Sequence, residues 1–115
     1  MSLAFKVFAL SDLGLLRAGN EDSGLVSSKI VAVADGMGGH AGGEVASRIA
    51  IKSLAQTSSN ADALLSVANS INLEIANKSK SDPELAGMGT TLTALQINGE
   101  VAELLHVGDS RCYAF

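Results

Sequence analysis

The first third of the chain alternates short apolar runs with polar stretches, a pattern that predicts strands separated by turns. Residues 4–10 and 30–34 are apolar runs with aromatic or β-branched side chains, as found in buried strands. Residues 11–24 are polar and contain three glycines, so we expect a loop that leads into the short apolar segment at residues 25–26. Residues 27–29 are predicted to form a tight turn before the strand at residues 30–34.

In the middle of the chain the apolar spacing changes to that of helices. From Glu44 onward one helical face is apolar and the other carries Arg48 and Lys52. The apolar positions are Val45, Ala46, Ile49, Ala50 and Leu54. A second helix is predicted over residues 61–78, with Leu64, Leu65, Ala68, Ile71 and Ile75 spaced three and four apart. Pro83 cannot continue a helical hydrogen-bond ladder, so the helix should end before it.

The last third of the chain again has the period of strands. Residues 90–97 alternate polar and apolar side chains, and Asn98-Gly99 predicts a two-residue hairpin turn into a return strand at residues 101–107. A second turn at residues 108–110 is predicted to start another strand at residues 111–115. The order of strands, two helices and strands, without βαβ alternation, predicts an antiparallel, layered α+β fold.

Composition and charge restrict the classes of function. The chain has 115 residues and is 47% hydrophobic, enough for one small domain or part of a larger one. A net charge of −4 without a Lys/Arg cluster argues against nucleic acid as the main partner. No apolar run approaches the ~20 residues that span a bilayer, and no secretory signal is evident, so we expect no membrane partner and a cytoplasmic location. The single cysteine, Cys112, excludes an internal disulfide and lies in an apolar run, so we expect a small core residue.

Acidic residues concentrate at the predicted turns. Asp35 ends the apolar run at residues 30–34 and precedes a glycine-rich loop, an arrangement that suits a hard cation bound by oxygen. The acidic turn residues are Asp12, Glu21, Asp22, Asp35 and Asp109. Any one of them alone is explained by a solvated turn, whereas the combination favours a site. Asp22 and Asp35 flank neighbouring strands and are expected to meet at one edge of the sheet.

The glycine-rich loop also permits a phosphate-binding interpretation, which the neighbouring residues disfavour. No lysine lies between Lys29 and Lys52, so the Gly-x-x-x-x-Gly-Lys-Ser/Thr pattern is absent from the loop. The dinucleotide pattern starting at Gly36 ends in Ala41, and Asp35 would place a negative charge beside a pyrophosphate. We therefore prefer a cation site.

Four blocks of sequence resemble the opening motifs of a known enzyme family. They are Ser11-Asp12-x-Gly14-x-x-Arg17-x-x-Asn20-Glu21-Asp22, Val33-Ala34-Asp35-Gly36-Met37-Gly38-Gly39-His40-x-x-Gly43-Glu44-Val45-Ala46-Ser47, Gly89-Thr90-Thr91 and His106-Val107-Gly108-Asp109-Ser110-Arg111-x-Tyr113. In this order they resemble the metal-dependent serine/threonine protein phosphatases (PPM, type 2C) in their bacterial form. The resemblance implies a β-sandwich flanked by helices, with a two-metal centre at one end.

The resemblance also implies roles for particular residues. Asp35 would bridge two magnesium or manganese ions, the Gly36 carbonyl would add a ligand, and Asp109 would hold a third, weaker metal. Glu21 and Asp22 would support the second metal directly or through water. Arg17 would grip the substrate phosphate with its planar guanidinium. The implied reaction is hydrolysis of phosphoserine or phosphothreonine in a protein substrate by a metal-activated bridging water, which makes Asp35 and Arg17 the expected catalytic residues.

For two histidines and one methionine the sequence is compatible with more than one role. His40 in the glycine loop is compatible with a proton donor or with a structural residue. His106 alternates with apolar residues and is expected to lie in the core or to support the site. Met37 stands where eukaryotic relatives carry a histidine proposed as a general acid, so that role is vacant or filled otherwise.

The family domain is about twice the length of this chain, and its second half supplies two further aspartate ligands. We therefore expect residues 1–115 to be the N-terminal half of one phosphatase domain, with two helices. Alone, this half is expected to bind metal weakly and to show little activity. It is also expected either to self-associate through unpaired strands or to pack differently from the intact domain. The alternative is a non-catalytic binding or dimerisation module descended from such a phosphatase.

Overall fold

A computed structural model describes residues 5–7, 20–39, 41–57 and 64–114. Within them the chain forms five strands, two α-helices and one 3₁₀ turn. These are β1 (Asp22–Val26), β2 (Ile30–Met37), α1 (Gly42–Thr57), α2 (Leu64–Ser81), the 3₁₀ turn (Pro83–Leu85), β3 (Gly89–Thr90), β4 (Leu92–Asn98) and β5 (Val101–Val107). Neither of these two α-helices is long and apolar enough to cross a membrane.

The strands form one antiparallel sheet in the order β1-β2-β4-β5, and the short β3 pairs with the last residues of β2. The turn between β1 and β2 is closed by the Ser27 N–H, which donates to the Ile30 carbonyl at 2.9 Å. Together with the two helices, this sheet confirms the predicted antiparallel α+β fold. The described residues contribute one sheet layer of the sandwich that the family resemblance implies.

Both helices pack on one face of the sheet, where small side chains allow close approach. Ala32 on β2 pairs with Ala94 on β4, and both are buried with Ala34 in the main apolar cluster. The helices contribute Ala50, Leu54, Leu64, Val67 and Ile71 to the same cluster. The alanines keep the sheet surface flat, so the larger side chains of the helices fill the space between the layers.

The buried face of α1 is the predicted one, whereas that of α2 includes Val67 in place of Leu65. Ala46, Ala50 and Leu54 are fully buried, and Arg48 and Lys52 are exposed. On α2, however, Leu65 is 64% exposed, so its predicted place on the apolar face is wrong. The buried residues of α2 are Leu64, Val67 and Ile71, which are spaced three and four apart. Leu65 follows Leu64 directly and therefore lies on a different side of the helix.

Two strands extend further than the apolar pattern indicates. β1 begins at Asp22, within the predicted loop, and β2 continues past Ala34 to Met37. Backbone pairing explains both differences, because Asp22 pairs with Asp35 and Met37 pairs with Gly89. Residues without a strand-like side-chain pattern can thus join a sheet when neighbouring strands offer donors and acceptors.

The hairpin between β4 and β5 forms where Asn98-Gly99 predicts it, but one residue later. Asn98 pairs with Val101, so the two loop residues are Gly99 and Glu100. Gly99 has a φ of 65° at the first loop position, the left-handed conformation that such turns require.

Two predictions for the ends of the chain are wrong in the residues that the structure describes. Residues 111–114 form no strand, and Cys112 is exposed rather than buried in the core. A strand needs a hydrogen-bonding neighbour, and no described strand pairs with this segment. Residues 5–7 of the predicted first strand are also irregular, and the rest of it lies outside the described residues.

Candidate metal centre

One end of the sheet gathers the candidate residues that the structure describes. In the antiparallel order β1-β2-β4-β5, the first residue of β1 and the last residues of β2 lie at the same end as the end of β5. Asp22 begins β1, Asp35 lies near the end of β2 and Asp109 follows β5. Residues far apart in sequence are therefore brought to one edge by the topology.

Asp22 and Asp35 lie directly opposite each other on adjacent strands. The expectation that these two residues meet at a sheet edge is confirmed. Asp22 is exposed and Asp35 is half-buried, and the Asp22 N–H donates to Asn20 Oδ1 at 3.0 Å. Like charges in a directly opposed pair are unfavourable, and a bound cation would remove that cost.

Glu21 contacts the start of α1 instead of facing the same side as Asp22. Its carbonyl accepts the Gly36 N–H at 3.2 Å, and a Cβ added at Gly43 would overlap its carboxylate. Since consecutive residues of an extended chain point to opposite faces, Glu21 lies on the helix side and Asp22 on the other. A carboxylate beside the first turn of a helix is stabilised by the helix dipole, so the position of Glu21 has a structural explanation of its own.

Gly36, the expected carbonyl ligand, lies in close backbone contact with α1. A Cβ at Gly36 would overlap the carbonyl of Gly43, the second residue of the helix. Glycine at both positions thus lets the end of β2 and the start of α1 touch. This contact holds the glycine loop next to Asp35.

Thr91 contacts Asp35 on the side away from Asp22, a role that was not predicted from the sequence. The Thr91 N–H donates to the Asp35 carbonyl at 2.9 Å, and the Asp35 N–H donates to Thr91 Oγ1 at 2.9 Å. Thr91 Oγ1 is also 3.1 Å from Ser110 Oγ. The Gly89-Thr90-Thr91 block was the signal for this contact, although a Thr-Thr pair alone does not indicate which partner its hydroxyls bind.

The remaining candidates have different outcomes. Asp109 is exposed in the turn after β5. His106 is exposed, with Nδ1 2.9 Å from Thr93 Oγ1. Of its two predicted places, the core is therefore wrong, and a supporting position beside the site stays a prediction. Arg17, Asp12 and His40 lie outside the described residues.

The donor atoms at this edge are of the type that binds a hard cation, but too few of them lie close together to form a complete site. Carboxylates and a backbone carbonyl are the oxygen ligands that magnesium and manganese prefer. Within the ranges that the structure describes, however, no three His, Cys, Asp or Glu residues lie close enough together to hold a metal ion. The described residues can contribute ligands to a metal centre, and they do not form a closed one.

Comparison with known proteins agrees with the fold. Residues 18–115 match the family described as Protein phosphatase 2C. The chain is 44% identical to the serine/threonine protein phosphatase PstP of Mycobacterium tuberculosis, over 98% of this chain and 23% of that protein. It is 39% identical to the serine/threonine phosphatase stp of Listeria monocytogenes, over 90% of this chain and 47% of that protein.

Solved structures show the same similarity. A crystal structure of the M. tuberculosis phosphatase PstP/Ppp superimposes with a TM-score of 0.88 at 43% identity, over 95% of this chain and 49% of that one. The catalytic domain of PstP in complex with two manganese ions gives a TM-score of 0.78 at 45% identity, over 89% of this chain and 47% of that one.

The chain belongs to the protein phosphatase 2C family of serine/threonine phosphatases, and its relatives here are bacterial. It spans about half the length of the Listeria relative and of the crystallised PstP chains.

Proposed function

We propose that this chain provides one side of the metal centre of a protein phosphatase that hydrolyses phosphoserine and phosphothreonine in protein substrates. The observation that carries the proposal is the direct pairing of Asp22 with Asp35 at the sheet end, beside the glycine loop. A relative of similar fold is described in complex with two manganese ions, which supports a divalent cation as the partner of these carboxylates.

Each candidate residue has a proposed part in that centre. Magnesium or manganese would be held by Asp35, with Asp22 and the Gly36 carbonyl as further oxygen donors, and Asp109 would hold an additional, weaker ion. Glu21 acts through water, because its carboxylate is packed against the start of α1. Bound magnesium or manganese would supply an activated water and neutralise phosphate charge.

Arg17 is proposed to bind the substrate phosphate. Its guanidinium offers a planar fork of donors that matches two phosphate oxygens and fixes the orientation of the substrate. This proposal rests on the family motif, since Arg17 lies outside the described residues.

We further propose that residues 1–115 correspond to about half of the catalytic domain and have little activity alone. Two observations support this: the chain spans about half of the Listeria relative, and no three His, Cys, Asp or Glu residues among the described ones lie close enough together to hold a metal ion. Binding of Mn²⁺ by the chain itself should accordingly be weak.

A titration of the purified chain with Mn²⁺ tests whether Asp35 is a ligand. Paramagnetic broadening of amide resonances detects weak binding, and we expect it to centre on Asp35 and Asp22. Asp35→Asn should abolish the broadening. Asp82→Asn is the matched control, because Asp82 caps the 3₁₀ turn by accepting the Glu84 N–H, and asparagine can cap it as well. Broadening that is equal in the wild type and Asp35→Asn would refute the role of Asp35.

A chimera tests the catalytic role in a complete domain. Residues 1–115 would replace the matching segment of the M. tuberculosis relative, with p-nitrophenyl phosphate as substrate. We expect Mn²⁺-dependent hydrolysis by the chimera and little by the isolated chain. Because even residues that support metal ligands affect activity by about 10–100-fold, Asp35→Asn should lower the activity of the chimera by at least about 100-fold. A folded, Mn²⁺-binding but inactive chimera would favour the non-catalytic module.

A further inference from the structure

Thr91 interrupts the hydrogen-bond ladder of the sheet directly opposite Asp35. Thr90 pairs with Gly36 and Thr93 pairs with Val33, so Thr91 faces Asp35 in the same register. The Thr91 N–H donates to the Asp35 carbonyl as in an ordinary ladder. The Asp35 N–H, however, donates to the Thr91 hydroxyl rather than to a backbone carbonyl.

The backbone of Asp35 is therefore held by a side chain. The Thr91 carbonyl accepts the Thr90 hydroxyl at 2.8 Å, while the Thr91 hydroxyl accepts the Asp35 N–H at 2.9 Å. A partly buried N–H that loses its acceptor is costly. Removal of the Thr91 hydroxyl would thus leave the Asp35 N–H without its acceptor, so that only the bond from the Thr91 N–H to the Asp35 carbonyl would remain between the two residues.

The same side chain also holds the turn that contains Asp109. Since Thr91 Oγ1 accepts the Asp35 N–H, its own hydrogen is available to donate to Ser110 Oγ, 3.1 Å away. The methyl group of Thr91 lies against the other end of the turn, where a Cβ added at Gly108 would be 2.6 Å from Thr91 Cγ2. The hydroxyl of Thr91 thus contacts Ser110 and its methyl group lies beside Gly108, the two residues that flank Asp109.

We propose that Thr91 is a positioning residue that fixes Asp35 and the Asp109 turn relative to each other, and that loss of its hydroxyl weakens divalent-cation binding at Asp35. The inference rests on the proposed function, because it takes Asp35 as a metal ligand. Groups that orient metal ligands affect affinity although they do not touch the metal.

Two substitutions separate the hydroxyl from the rest of the side chain. Thr91→Val keeps the shape and removes the hydrogen bonds, whereas Thr91→Ser keeps the hydroxyl and removes the methyl contact. Thr93→Val is the matched control: Thr93 lies two positions further along, is equally buried, and bonds His106 instead of Asp35.

The first measurement needs no metal. Hydrogen exchange of the Asp35 amide, followed by NMR in the metal-free chain, reports whether the Thr91 hydroxyl holds this peptide. Because one hydrogen bond contributes about 1 kcal/mol, Thr91→Val should speed the exchange about 5-fold. Thr91→Ser and Thr93→Val should stay close to wild type. Unchanged exchange in Thr91→Val, with an otherwise native amide spectrum, would overturn the proposal.

The second measurement is the affinity for Mn²⁺, from paramagnetic broadening in the same chain. We expect Thr91→Val to weaken binding by about 10–100-fold, with rescue by Thr91→Ser. If the wild type binds Mn²⁺ and Thr91→Val binds it equally well, the inference fails while the proposed function stands. If Mn²⁺ leaves Asp35 unaffected in the wild type, the proposed function fails for this chain, and with it the effect of Thr91 on cation binding.

Ser110→Ala tests the link to the Asp109 turn. It removes the hydroxyl contact between Thr91 and the turn and leaves the Asp35 N–H bonded, so the backbone NMR order parameter should fall at Asp109 while amide exchange at Asp35 stays unchanged. Thr91→Val should lower the order parameter at Asp109 and also speed amide exchange at Asp35. Since the two variants break the same bond, their double variant should show no further fall of the order parameter at Asp109, and an additive fall would contradict the link.

Discussion

Two glycines decide how closely the end of β2 approaches α1. Gly36 follows Asp35, and Gly43 lies in the first turn of the helix. The three heavy atoms nearest to a Cβ at Gly36 all belong to the backbone of Gly43, so a rotation of a side chain could not relieve the overlap. The glycine-rich composition of this loop therefore reflects steric need at these positions as well as room for a ligand.

We expect Gly36→Ala to destabilise the fold by about 1–3 kcal/mol or more, since the added methyl must push β2 and α1 apart. Gly39→Ala is the control, because nothing lies within 4 Å of a Cβ there, and its effect should be within about 0.5 kcal/mol. Urea unfolding followed by circular dichroism measures both. Equal stability of the two variants would show that β2 and α1 are not in such close contact.

At the scale of elements, sequence patterns predict where strands and helices form better than they predict which side chains are buried. On α2, apolar residues occupy more than one stripe, so periodicity places Leu65 and Ile71 on one face although only Ile71 is buried. The packing of α2 against the sheet determines which of these apolar side chains are buried. Thr91 is a similar case, because its hydroxyl acquires its role only when the residue between β3 and β4 lies beside Asp35.

Adjacent leucines on α2 test this selection. Leu64 is 6% exposed and Leu65 is 64% exposed. Leu64→Ala should cost about 2–5 kcal/mol because it leaves a cavity beside the sheet, and Leu65→Ala should cost less than about 0.5 kcal/mol. Thermal and urea unfolding of the two variants give the comparison. A larger loss from Leu65→Ala would mean that α2 packs against the sheet with Leu65 rather than with Leu64.

At the scale of the whole molecule, the face of the sheet opposite the helices is apolar. Val33 lies between Ala32 and Ala34, which face the helices, so it points the other way; it is 54% exposed. Leu104 pairs with Leu95 on the same face and is 53% exposed. A groove of about 520 Å³ on this face is lined by residues that include Val26, Val31, Val33, Leu95 and Cys112. Contiguous apolar surface of this kind favours association.

We expect the isolated chain to self-associate through this face, so that its weight-average mass in sedimentation equilibrium rises with concentration. Leu104→Lys should reduce the association, because a charged side chain on the sheet must be desolvated in the complex. Leu73→Lys is the control: Leu73 is 65% exposed on α2, away from the sheet face, and its substitution should leave the association unchanged. A wild-type chain that stays monomeric at every concentration would contradict the expectation, and equal effects of the two lysines would place the contact elsewhere.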